Sequence, residues 1–146
     1  MPLDPQEHYR RLERTYLTAP INHYFRPRIE VGDGTAEIAI DVRPDLHHAA
    51  AAVHGAVYFK ALDDAAFFAV NSVVQDVFVL TASFNLYLLR SIADGLLVAR
   101  GRLVHRTRRT FVGESELTDG EGRLLARGSG SFVRSRIPLD ERIGYD

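Results

Sequence analysis

The sequence has no cysteine, no tryptophan and a single methionine. Without thiols there is no disulfide, no thiolate nucleophile and no cysteine-built zinc site. Neither sign of charge is in surplus, since 18 Lys and Arg stand against 19 Asp and Glu for a formal net charge of −1. A basic excess is what holds nucleic-acid phosphates, so no nucleic-acid partner is expected. The apolar runs are far shorter than the roughly 20 residues that cross a bilayer. The opening "MPLDPQEHYRRLERTYLTAP" is charged and lacks the apolar stretch of a secretory leader. The expectation is a cytoplasmic protein with no membrane partner.

What the chain does have is ordinary for a globular protein: 146 residues, 46% hydrophobic and 25% charged. That length suits one core and one domain over residues 1–146. Residues 4–17 predict a short amphipathic helix, with Asp4 as cap, Pro5 at the first helical position and Tyr9, Leu12 and Tyr16 at helical spacing. "HYFRPRIEVGDGTAEIAIDV" predicts a strand pair turning at "GDG", and "RPDLHHAAAAVHG" a loop.

From His54 to Asn71 the pattern becomes one long, mostly apolar helix. Beyond it, "VFVLTASFNLYLL", "GLLVARGRLVHR", "TFVGESELTD" and "RLLARGSGSFVRSR" are β-rich and separated by "ADG", "RTRR" and "DGEG". Such connections predict an antiparallel meander. The fold class is α+β, a long helix against a large antiparallel sheet, with a short N-terminal helix.

Two adjacent aspartates interrupt the apolar helix. At ~100° per residue, Asp64 and Asn71 fall within about 40° of Lys60, on a narrow stripe that water can reach. Asp64 also has Lys60 four residues back, the spacing of a helix-face ion pair. Asp63 points to the other side, among Ala56, Phe59, Phe67 and Val70, with no partner in its own helix. A carboxylate there is either paired from a facing element or kept for chemistry.

The triplet His54-Gly55-Ala56 opens this helix, an acid follows nine residues after the His, and four long strands come next. This order resembles the hotdog-fold thioesterases, most closely the phenylacetic-acid-degradation (PaaI-like) branch. The resemblance runs without gaps from about His48 to Tyr87 and more loosely through the last three strands. It implies a hotdog fold, with the central helix wrapped by the sheet, and hydrolysis of an acyl-CoA thioester. Carried over position by position, it makes Asp63 the general base or nucleophile and gives the Gly55 N–H the task of polarising the carbonyl. Thr81 matches the hydroxyl residue on the next strand. His48 stands where the family often has Asn or Gln. Ala51 and Ala56 stand where it often has glycine.

The resemblance also implies a homodimer or homotetramer, with Asp63 and Thr81 of one subunit facing His48 and Gly55 of the next. Coenzyme A enters only as part of the substrate, and no other cofactor is implied. Phosphate recognition suits arginine, which makes Arg106, Arg108 and Arg109 of "HRTRR" candidates for the CoA end, or simply a solvated turn. His54 is expected at the loop–helix junction, packing or touching substrate. Phe59, with Phe67, Phe84 and Tyr87, offers an apolar acyl pocket. His48, His54 and one Asp lack a third firm metal ligand, so no metal is expected. Two rival readings share these residues: a non-catalytic acyl-CoA binding protein, and an enoyl-CoA hydratase or dehydratase working through His48 and Asp63.

Overall fold

A helix apolar on nearly every side has to be surrounded. In the computed structural model, which describes residues 2–146, the long helix occupies Gly55–Asn71 and buries Val57, Leu62, Ala65, Ala66 and Val70 among others. Two shorter helices precede it, α1 (Pro5–Thr18) and the single turn α2 (Asn22–Phe25), so the long helix is α3. Six strands wrap it: β1 (Arg28–Gly32), β2 (Thr35–Asp41), β3 (Val77–Leu88), β4 (Leu96–Arg106), β5 (Thr110–Thr118) and β6 (Leu124–Pro138). They form one antiparallel sheet in the order β1-β2-β4-β5-β6-β3. This is the expected hotdog arrangement. Among the described residues no helix is long and apolar enough to cross a membrane.

The helix and sheet approach very closely. A Cβ on Gly101 of β4 would meet the backbone oxygen of Ala65 at 2.2 Å, so only glycine fits opposite the middle of α3. On the sheet's other face, Glu37–Arg100, Glu114–Arg102 and Glu116–Arg127 pair across strands at the surface.

Three expectations are corrected. The strands are not a simple meander, because β3 pairs with β6 and lies at an edge. The stretch between Leu88 and Leu96 is no hairpin turn. It crosses the molecule, held where Arg90 O accepts from Tyr58 Oη, Ile92 O from Val53 N–H and Gly95 O from Val42 N–H. Residues 23–25, expected at the start of a strand pair, form part of α2 instead, and Arg26 closes that turn at φ 53°.

Asn71 was expected on a wet stripe, yet it is fully buried. Its amide donates to Val74 O and Val77 O and accepts from Val79 N–H, stitching the end of α3 to the start of β3. His8 of α1 covers it, reaching Asn71 O and the hydroxyl of Tyr145 near the C-terminus. A buried amide with all its partners satisfied is structural.

The two sheet edges differ. α1 covers β1, where Val31 donates to Glu13 and accepts from Arg10, so its backbone groups are satisfied by side chains. Among the described residues β3 has no such helical cover, and it exposes Leu80, Tyr87 and Leu88, with Leu89 exposed just beyond it. An uncovered apolar edge is a ready site for another strand.

Candidate active site

Asp63 sits half-buried on α3, and its Oδ1 accepts a 2.8 Å hydrogen bond from Thr81 Oγ1 on β3. Local irregularity aims that hydroxyl. The β3–β6 register shifts between Thr81 and Ser83, a bulge that leaves Ala82 unmatched. Before it Val79 and Thr81 face inward; after it Phe84 and Leu86 do. Bulges beside functional groups commonly re-aim a side chain in this way.

Burial raises the Asp63 carboxyl to about 6. The Thr81 bond opposes that rise, the neighbouring Asp64 adds to it, and Lys60 opposes it weakly. No Lys or Arg among the described residues is within ion-pair reach of Asp63. The alternative of a cation on a facing element of the same chain is therefore absent among the described residues.

Asp64 was expected as a solvated helix-face charge. Its ion pair with Lys60 is present at 2.7 Å, but both side chains are largely covered, being 19% and 12% exposed. The cover is α1: Tyr16 Oη donates to Asp64 Oδ2 at 2.6 Å, and Lys60 lies over the rings of Tyr16 and Phe25. Nothing local in the sequence pairs Tyr16 with a residue 48 positions later, so this network carries no sequence signal.

Asp63 and Thr81 stand in the wall of a cavity of about 850 Å³. Phe67, Phe78 and Leu80 line it together with Ile21 and the C-terminal turn around Ile143. The expected Phe67 is there. Phe59, Phe84 and Tyr87 are not: Phe59 stacks edge-to-face on Phe84 at 5.7 Å, and Tyr87 is 69% exposed on the outer face. The bulge explains Tyr87, since it reverses which residues of β3 face the helix. The contribution of both chain termini to this cavity carried no recognisable sequence signal.

A second cluster lies at the start of α3. His54 is its N-cap, with Nδ1 accepting from Ala56 N–H at 2.9 Å and its carbonyl accepting from Val57 N–H. Gly55 N–H donates to no acceptor among the described residues. The Gly55 N–H is thus free at the positive end of the helix dipole. His48 is close by, its ring 6.4 Å from that of His54 and its Nδ1 accepting from Ala50 N–H. Ala51 completes this loop at φ 62°, the left-handed region that suits glycine.

Gly55 and Asp63 do not meet within the chain, because eight helical steps separate them by about 12 Å. Each protomer therefore carries two separate groups: Asp63 with Thr81, and Gly55 with His48 and His54. Arg106, Arg108 and Arg109 are exposed at the β4–β5 turn, outside the cavity. The register nevertheless sets Arg106 opposite Phe111, Phe111 opposite Phe132 and Phe132 opposite Thr81, which places this turn at the Thr81 end of the sheet.

A family model described as the thioesterase superfamily matches residues 51–126. A Mycobacterium tuberculosis protein named as a candidate esterase is 33% identical over 103 residues, covering 68% of this chain and 74% of that protein. Among solved structures, a conserved protein of Pseudomonas aeruginosa aligns at 25% identity with a TM-score of 0.78, covering 84% of this chain and 98% of that one. The PaaI protein of the E. coli phenylacetic acid degradation operon aligns at TM-score 0.83 over 92% of this chain and 97% of that one. At 19% identity, that last likeness is one of fold.

Proposed function

The chain belongs to the thioesterase superfamily, and on that premise we propose that it hydrolyses an acyl-CoA thioester to a carboxylic acid and free CoA. The observation that carries this reading is Asp63: a half-buried carboxylate without a cation of its own, held by Thr81 and opening on a largely apolar cavity. A carboxylate raised to about 6 is mostly ionised at neutral pH yet more basic than a solvated one.

In this mechanism the Asp63 carboxylate takes a proton from water as the oxygen attacks the thioester carbon. The carbonyl oxygen becomes an oxyanion and is stabilised by the free Gly55 N–H at the helix end. Collapse re-forms the carbonyl and breaks the C–S bond. The departing thiolate takes the proton that Asp63 holds, and the carboxylate is restored. Direct attack by Asp63 would instead expel the CoA thiolate and form a mixed anhydride, and water attack on the aspartyl carbonyl of that anhydride would leave solvent oxygen in the aspartate after one turnover in labelled water.

The separation of Asp63 from Gly55 supports an active site shared between two copies, with Asp63 and Thr81 of one protomer opposite Gly55 and His48 of its partner. The open edge of β3, with Leu80, Tyr87, Leu88 and Leu89 exposed, is the surface proposed to meet the second copy. The acyl group would occupy the cavity between Phe67, Phe78 and Ile143, whose volume is that of a small-ligand site. Arg106, Arg108 and Arg109 are proposed for the phosphates of CoA.

Incubation with acetyl-, hexanoyl- and phenylacetyl-CoA tests the reading. Free thiol and the matching acid in equal amounts are expected. Binding without thiol release would make the protein a carrier, and water addition to an enoyl-CoA would make it a hydratase.

A further inference from the structure

Lys60 lies three residues before Asp63 and four before Asp64, within side-chain reach of both. It bonds Asp64 alone, at 2.7 Å. The same Oδ2 of Asp64 receives the hydroxyl of Tyr16 at 2.6 Å. Tyr16 is held as a donor at all ordinary pH, because burial and then the Asp64 charge push its ionisation far upward. The ammonium is confined further by the rings of Tyr16 and Phe25, whose faces attract a cation.

We propose that Asp64, anchored by Tyr16, is a positioning residue that holds Lys60 away from Asp63 and so keeps the catalytic carboxylate free of a salt bridge. This rests on the reading of Asp63 as the group that attacks or activates water. A base paired with an ammonium ion loses basicity, and its pKa falls by roughly 1–3 when the cation comes close. The tandem Asp63-Asp64 thereby divides two tasks: one carboxylate takes the cation and the other stays unpaired.

The charged groups around Asp63 are few. Its own helix supplies Lys60 and Asp64; β3 supplies only the neutral Thr81 hydroxyl; α1 supplies Tyr16, which reaches Asp64 instead. The C-terminal turn brings Glu141, Arg142 and Asp146 to the same cavity. Arg142 is engaged by Asp140, and Asp146 pairs with Arg14. Within one protomer Lys60 is therefore the cation placed to reach Asp63, and in the shared site proposed above His48 of the partner faces it as well.

The test is the pH profile of kcat/KM for thiol release in wild type, D64N, K60M and the double variant, with D63N alongside. Releasing Lys60 in D64N should move the acid limb to lower pH by about one unit. In the Lys60→Met background the same Asp64→Asn change should move it much less, since no cation remains to be released. Asp64→Glu, which can still hold the ammonium, should return the limb toward wild type. Asp64→Ser gives the same comparison should D64N not fold. Equal shifts with and without Lys60, or no shift in D64N, would overturn the proposal while leaving Asp63 in its role. Full turnover in D63N would instead remove the reading on which it rests.

Discussion

Thr81 Oγ1 lies 2.8 Å from Asp63 Oδ1, and this bond joins the central helix to β3 at the edge of the sheet. It favours the ionised carboxylate, so it partly offsets the upward push of burial. Thr81→Val keeps the β-branched shape and removes the donor. The acid limb of kcat/KM should then rise above its wild-type position near pH 6, and a limb that stays or falls would disconnect Thr81 from the reaction.

Stability should register the same strain. Asp63 is about 6 in the folded chain against an ordinary 3.8, so the folded state binds the proton more tightly. Its contribution to stability is full below about pH 4 and lost as pH rises through about 6. Asp63→Asn can still accept from Thr81 and no longer has a charge to bury. After discounting for the solvent that reaches this part-exposed group, it should gain about 1 kcal/mol at pH 8 and nothing below pH 4. Urea titrations at the two pH values check this, and equal differences at both would contradict it.

The distinction between Asp63 and Asp64 was legible because helical periodicity fixes which face a residue occupies, and the partner of Asp64 lies four residues away on the same helix. The fold class was legible for a similar reason, as the change from helical to strand patterning is local. The order of the strands was not, since pairing β3 with β6 joins segments far apart in sequence. Asn71 was misplaced because its cover comes from His8 and the turn after the helix, neither of which lies on the wheel. The bulge at Ala82 was equally hidden: one unmatched residue reverses the faces of β3 and sends Tyr87 outward.

The free N–H of Gly55 can be deleted with little cost to the fold. Proline suits the first position of a helix, and the residue before it must be extended. His54 already is, at φ −65° and ψ 140°. Gly55→Pro should keep the melting temperature near that of wild type and lose turnover by roughly 10²–10³-fold, the cost of one oxyanion donor. Retained turnover in a folded Gly55→Pro protein would remove this N–H from the mechanism.

Ile143 lines the cavity and lies outside the stretch matched by the family model. Ile143→Trp fills space there, so the ratio of kcat/KM for phenylacetyl-CoA over acetyl-CoA should fall about tenfold or more. An unchanged ratio would place the acyl group elsewhere.

The most direct test of the account is thiol release from the best substrate of the acyl-CoA panel by wild type and Asp63→Asn, at pH 8 where the wild-type carboxylate is ionised. The account predicts a fall of at least about 100-fold, some 2.7 kcal/mol of barrier, in a variant at least as stable as the parent. Turnover by Asp63→Asn within a few-fold of wild type would contradict it.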